Sequence, residues 1–197
     1  MTLTLTRFAR LIAALALISL AITMKADTET NKTLFDFKAV THSPTWEVVN
    51  DDVMGGVSTS QFEVLTNGGA VFSGTVRFEN NGGFASVRSS PVGENLAGLT
   101  AFVLRVRGDG RRYKFSVRTG TGFDTPLYQC SFTTKPGEWT EHRLPLKQFV
   151  PTFRGRVLSG EPPLDPAKVT SVGFLISDKQ AGPFRLEIDW IKSASLK

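Results

Sequence analysis

Cysteine is almost missing from this chain: Cys130 is the single one in 197 residues. One thiol excludes an intrachain disulfide and any cysteine-rich zinc site. Its setting, Leu127-Tyr128-Gln129-Cys130-Ser131-Phe132, suggests a small apolar strand residue. Histidine is nearly as scarce, with only His42 and His142, and no HExxH spacing argues for a catalytic zinc. The G-x-S-x-G elbow of many hydrolases is missing as well. Thr119-Gly120-Thr121-Gly122-Phe123 looks like half a dinucleotide fingerprint, but no βαβ rhythm surrounds it, so it is a loop. Long Ala/Leu/Glu/Lys stretches are lacking after residue 30, which leaves little room for helix.

What is present is a sheet-former's composition: 15 Phe, 18 Gly, 10 Pro and 41% hydrophobic residues. That content supplies one core, and the expected class is an all-β single domain. Period-2 alternation recurs: Phe72, Gly74, Val76 and Phe78 against Ser73, Thr75 and Arg77; Tyr113, Phe115 and Val117 against Lys114, Ser116 and Arg118. Phe184, Leu186, Ile188 and Trp190 repeat it, which assigns Trp190 to the core. Turn chemistry separates the runs at Asn67-Gly68-Gly69, Asn80-Asn81-Gly82-Gly83 and Gly108-Asp109-Gly110. The last is expected to join 99–107 with 111–118 as a hairpin. Nine or ten strands at this spacing suit a sandwich or jelly roll. The Pro-rich stretch from Pro145 to Lys168 reads as one long, ordered loop.

Residues 1–26 differ from the rest. Arg7 and Arg10 precede an apolar run from Leu11 to Ile22, and no acid occurs before Asp27. This reads as an export signal, with cleavage expected after Ala21 or Ala26; the rivals are an uncleaved anchor, the one expected route to membrane contact, and a mitochondrial transit peptide. Residues 27–33 read as a polar linker, 34–192 as the domain and 193–197 as a tail. Losing Arg7, Arg10 and Lys25 lowers the net charge from +5 to +2, so the basic balance does not point to nucleic acid. The basic residues between Arg105 and Arg118 fall on the polar phase and form a solvated strip.

The segment from Val48 to Ser60 carries Asp51 and Asp52 before Met54-Gly55-Gly56. Three readings compete: a turn whose cap is Asn50 or Asp51 and whose glycines adopt special backbone conformations, a hard-cation site, and half of a hydrolytic carboxylate pair completed by a distant acid such as Asp178. The turn is preferred, because adjacent residues of an extended segment face opposite ways. Trp46, Trp139, Trp190 and Tyr128 raise a fourth possibility, a sugar-stacking platform, with Trp139 at a rim after Pro136-Gly137-Glu138.

The whole segment Trp46-Glu47-Val48-Val49-Asn50-Asp51-Asp52-Val53-Met54-Gly55-Gly56-Val57-Ser58 resembles the hallmark of the complex I intermediate-associated protein 30 family. Further matching blocks follow in order: Phe72-Ser73-Gly74, Glu79 to Arg88, Arg107 to Tyr113, Gly137-Glu138-Trp139, Leu144-Pro145-Leu146 with Phe149, Phe153-Arg154-Gly155-Arg156, and Asp178 to Phe184 before Leu186-Glu187-Ile188. The resemblance implies a galactose-binding-like jelly-roll β-sandwich and a non-enzymatic, chaperone-like assembly role in building NADH:ubiquinone oxidoreductase. It implies no catalytic residues, cofactor or metal. The matched loops then become the expected binding surface: Asn50, Asp51, Asp52, Met54, Gly55, Gly56 and Ser58; Asn80, Asn81, Gly82 and Gly83; Arg107, Asp109 and Arg111; Trp139; Arg154 and Arg156; Asp178, Lys179 and Gln180. The expected partner is a protein, an assembly intermediate or an envelope protein, with a glycan as the alternative.

Overall fold

In the computed structural model, residues 29–38, 45–122 and 125–196 are described. The expected leader over residues 1–26, His42 and Phe123 lie outside them.

Among the described residues the alternation seen in the sequence becomes thirteen strands: β1 Glu29–Asp36, β2 Trp46–Asn50, β3 Thr59–Val64, β4 Ala70–Val76, β5 Ala85–Ser89, β6 Leu99–Arg107, β7 Arg112–Arg118, β8 Leu127–Thr133, β9 Trp139–Pro145, β10 Val150–Phe153, β11 Arg156–Val157, β12 Ser171–Ile176 and β13 Gly182–Leu196. They form two antiparallel sheets. One has the order β3-β4-β13-β6-β9, with β1 beside the second half of β13; the other is β11-β10-β8-β7-β12-β5-β2. This is the expected all-β jelly-roll sandwich. The start of β1 occupies residues expected to be linker, and β13 runs through most of the expected tail, because the two strands pair from Glu29–Leu196 onward.

Inward-facing side chains fill the space between the sheets. Tyr113, Phe115 and Val117 are fully buried, as are Leu186 and Ile188 from the opposite sheet. Aromatic contacts stitch the layers: Phe102 of β6 meets Phe115 of β7 at 5.1 Å between ring centres, and Trp46 stacks on Phe62 at 4.7 Å. Each such ring removed from water contributes roughly 1.5–3 kcal/mol. Cys130 is buried, and burial raises its thiol pKa, as suits an inert core residue.

Four expectations fail, three of them because of pairings made far along the chain. Residues 99–107 and 111–118 are not a hairpin: β6 pairs with β13 and β9, while β7 pairs with β8 and β12, so Gly108-Asp109-Gly110 carries the chain from one sheet to the other. The basic strip is therefore split between two outer faces. Trp190 leaves the core because a register shift between Ile188 and Trp190 reverses the phase, burying Asp189 and Ile191 instead. Phe78 lies beyond the end of β4 and is exposed. Finally, the stretch after Pro145 is not one long loop: β10 extends the second sheet beside β8 and returns as β11 through Arg154-Gly155, both at positive φ.

Candidate functional site

Five connections cross between the sheets at one end of the sandwich: β2 to β3, β4 to β5, β6 to β7, β8 to β9 and β12 to β13. Register puts them side by side, since Val76 pairs with Gly182, Asn50 with Ala85, and Ala85 with Ile176. Four of the five expected binding loops, 50–58, 79–84, 107–112 and 177–183, thus share this rim. The fifth does not. Arg154 and Arg156 sit at the opposite end, where Thr152 pairs with Leu127 and Leu127 with Arg118.

Asp51 organises the rim. It opens a 3-10 turn, Asp51–Met54, and its carboxylate is fully buried. Oδ1 accepts from the Ser58 backbone N–H at 2.9 Å; Oδ2 accepts from the Ser58 hydroxyl at 2.5 Å, the Gly83 N–H at 2.6 Å and the Phe84 N–H at 3.2 Å. Ser58 Oγ in turn accepts from the Arg77 N–H. Burial by itself would raise the Asp51 pKa, but these donors together hold it below the ordinary carboxylate value. A carboxylate with four donors and no exposure is a structural clasp, tying the first rim loop to the second. Asp52, its neighbour, is exposed. The two acids therefore divide into one inside and one outside, within the turn expected here, which takes 3-10 form.

The glycines around the clasp act in two ways. Gly55 needs its positive φ of 87°. Gly56 and Gly82 are instead held by proximity: a side chain on Gly56 would collide with the Asp51 carboxyl carbon, and one on Gly82 would lie 2.6 Å from Asp51 Oδ2. Asn80 Nδ2 donates to the Gly55 carbonyl at 3.1 Å, closing the two loops on each other, and Asn80 and Asn81 both sit at positive φ.

Farther along the rim the same economy holds. Asp109 Oδ1 accepts from the Tyr113 hydroxyl and the Arg111 N–H, and Oδ2 from the Arg185 N–H. Arg111 donates to the carbonyls of Gln180 and Ala181, and the Gln180 amide pairs both ways with the Arg112 backbone. Asp178 meets Lys114 at 2.7 Å and Arg112 at 3.1 Å; burial opposes, but Lys114, Ser177 and Arg112 together lower its pKa. Arg107 is paired with Glu187. Neither Asp51 nor Asp178 is held protonated at neutral pH, so neither is poised to act as the general acid of a carboxylate pair. Among the described residues no group of three or more His, Cys, Asp or Glu is placed to hold a metal ion.

With Asp51, Asp109 and Asp178 bonded within the rim, four apolar side chains stand outside among exposed polar ones such as Asp52, Asn81 and Lys179. Val53 is 67% exposed, Met54 58%, Phe78 46% and Val57 38%. Val53 and Met54 lie in the clasped 3-10 turn, Val57 just after it, and Phe78 packs against Gly83 in the neighbouring loop. Of these, only Met54 was among the expected binding residues. The signal that was available is an apolar residue placed inside Gly/Asn turn chemistry, where polar residues are usual.

The sugar-platform reading loses two of its members. Tyr128 is buried with its hydroxyl donating to the Pro162 carbonyl, and Trp46 is packed among Phe35, Phe37 and Phe62. Trp139 does lie at the rim, half-buried on the outer face, but the Arg105 and Arg107 guanidinium groups lie 5.2 and 5.1 Å from its ring centre. His142, on the inward side of β9, lies against Phe132, and burial lowers its pKa.

Solved structures with this architecture include the family 11 carbohydrate-binding module of the cellulosomal cellulase Lic26A-Cel5E of Clostridium thermocellum. It is 18% identical with a TM-score of 0.62, over 84% of this chain and 95% of that one. At that identity the likeness concerns the fold. Two relatives carry the name complex I intermediate-associated protein 30, mitochondrial: one from Drosophila melanogaster, 30% identical over 80% of this chain and 61% of that protein, and one from Mus musculus, 30% identical over 83% of this chain and 56% of that protein. The chain thus spans less than two thirds of the length of either. The profile of that same family matches residues 35–188, which include the Asp51 clasp and all five rim crossings. On that match, which covers most of its length, the chain belongs to the complex I intermediate-associated protein 30 family.

Proposed function

We propose that this chain is a non-catalytic assembly factor that docks on a protein partner through its crossover rim. The observation that carries this reading is the apolar knuckle of Val53, Met54, Val57 and Phe78, held outward by a buried carboxylate rather than left on a loose loop. Rigid apolar tips surrounded by satisfied polar groups lose little entropy on docking and supply desolvation at the interface centre. Asp52, Asn81 and Lys179, exposed around them, provide a polar border. The family name supports a partner that is an intermediate of complex I, and the mitochondrial names of the relatives support the same compartment for this chain. The apolar run of the leader supports export instead.

The test is a tagged full chain resolved by native electrophoresis from its own host. Co-migration with a complex I subassembly, lost in a Met54→Asp, Phe78→Asp variant that folds normally, is the expected result. Free migration of the parent chain, or unchanged co-migration of the variant, would overturn the reading. Fractionation with determination of the mature N-terminus separates mitochondrial import from export. A glycan reading rests on Trp139, and binding to a glycan array that disappears in Trp139→Ala would favour it over the rim.

A further inference from the structure

At the end of the sandwich away from the rim, the outer face of the second sheet is hollowed into a cleft of about 380 Å³. That volume lies at the lower end of the range for small-molecule pockets. Thr45, Glu47, Arg88, Ser90, Arg118 and Ser171 are among its lining residues, with the Gly120-Thr121-Gly122 loop as one wall.

The charges in it do not balance. Glu47 Oε2 accepts from Arg88 Nε at 2.9 Å and pairs with Arg88 Nη2 at 2.8 Å. That consumes the carboxylate. Arg118 is half-buried, and its guanidinium makes no hydrogen bond or ion pair among the described residues. Other arginines of the two sheets behave differently: Arg105 binds Asp189, Arg107 binds Glu187, and Arg112 binds Asp178. Burial, and then the nearby Arg88 charge, lowers the Arg118 pKa, while Glu47 acts weakly in the opposite sense. A half-buried cation facing another cation is costly unless something supplies negative charge.

The walls are built rather than accidental. Thr170 N–H donates to the Arg118 carbonyl at 2.8 Å, and the Thr170 hydroxyl lies within 3.1 Å of the same oxygen and 3.2 Å of the Gly120 carbonyl. Ser90 N–H donates to Thr45 O at 2.7 Å, and Val172 N–H donates to Ser89 Oγ. These bonds fix the backbone on three sides of Arg118. The hydroxyls of Ser90, Thr121 and Ser171 have no bonded partner among the described residues, so they remain available as donors in the lining of the same cleft.

The structure assigns this cleft as a binding site for a small molecule bearing one oxyanion, a phosphate or a carboxylate, clamped by Arg118 with Arg88 behind it and the Ser90, Thr121 and Ser171 hydroxyls around it. A planar guanidinium meets either group through two parallel hydrogen bonds, and the unpaired hydroxyls complete an oxyanion's shell. The site is separate from the docking rim and goes beyond the assembly role.

The experiment uses the full chain at low ionic strength, with inorganic phosphate, glucose 6-phosphate, glucuronate and glucose as probes in NMR titration and thermal denaturation. At least one anionic probe should shift the amides of 89–92, 118–122 and 170–172 and raise Tm, and glucose should do neither. Response to the phosphate probes alone identifies a phosphate ligand; response to glucuronate alone identifies a carboxylate. Arg118→Gln should weaken binding by at least about tenfold, while Met54→Asp, Phe78→Asp binds as the parent does. Because Arg118 has no hydrogen bond or ion pair among the described residues to lose, Arg118→Gln should fold with a Tm equal to or above the parent's. No response to any anionic probe, an equal response to glucose, undiminished binding in Arg118→Gln, or collapse of that variant would each overturn the assignment.

Discussion

At the crossover rim Asp51, Asp109 and Asp178 each receive several donors, whereas at the opposite end the Arg118 guanidinium has no acceptor among the described residues. The rim's three bonded carboxylates are completed internally, and outward it offers apolar tips bordered by polar residues. The cleft offers a guanidinium with no bonded acceptor among the described residues. Loops rich in Asp, Asn and Gly invite a reading as ligand sites, but a polar side chain already saturated by the protein has little left to give a ligand. In this fold the carboxylates of the more polar-looking end hold its loops together.

The sharpest way to break the contrast is at Asp51. Asp51→Ala strands the N–H groups of Ser58, Gly83 and Phe84 and should cost about 3–5 kcal/mol, read as a fall in the urea midpoint. It should also abolish partner docking, because the two loops lose their tie. Since the folded pKa of Asp51 lies below its unfolded value near 4, its contribution is complete above that pH and is lost as pH falls through the lower folded value. Asp51→Asn should therefore flatten the acid limb of the stability profile. An unchanged midpoint would reduce the clasp to an ordinary turn.

How much of this was legible in the sequence depends on how far each signal reaches along the chain. Strand phase is local, so Tyr113-Phe115-Val117 and Phe184-Leu186-Ile188 lie inside as their alternation implies, and in the Asn80-Asn81-Gly82-Gly83 turn all but Gly82 take the positive φ that such residues tolerate. Gly108-Asp109-Gly110 has the same turn chemistry whether it closes a hairpin or crosses between sheets. What decides is that Val106 finds Ile188 and Thr140 while Val117 finds Val172 and Tyr128, and three of these four pairings span more than 30 residues of chain. The bulge that turns Trp190 outward leaves no local mark, because Asp189 is buried only through Arg105 and Lys38, which reach it from other elements. Asp51 and Asp52 are indistinguishable as letters and opposite as structure. Arg154 and Arg156 match the family pattern as well as the rim loops do, yet topology takes them to the other end. Arg118 passed for one more member of a solvated strip, since only the cleft shows that its neighbours are hydroxyls and another arginine.

Next in size are the glycines that the clasp crowds. Gly82→Ala would place a methyl 2.6 Å from Asp51 Oδ2, in a site that cannot open without breaking the bonds to Gly83 and Phe84, and should cost about 1–3 kcal/mol. Gly55→Ala meets nothing nearby and is penalised only by its left-handed backbone, about 1 kcal/mol. Urea midpoints for the two variants check the order. If Gly55→Ala proves the more damaging, the glycines serve the turn rather than the carboxylate.

The smallest effect tests whether saturation extends to the exposed flank. Asp178 carries ion pairs to Lys114 and Arg112 but is itself exposed, so solvent and salt screen the attraction. Asp178→Asn should lower stability by less than about 1 kcal/mol and by still less in high salt. Its folded pKa is also lowered, so whatever it contributes is present above pH about 4 and disappears below, in the same direction as Asp51 but over a shallower range of stability. The Gln180 amide, bonded to the Arg112 backbone and to the Ser177 carbonyl, should keep the loop in place without it. Amide exchange over 177–182 in Asp178→Asn reads this directly. Protection equal to the parent's would make the backbone network the holder of the loop, whereas rapid exchange would place Asp178 beside Asp51 as a second clasp and extend the internally completed part of the rim to its far side.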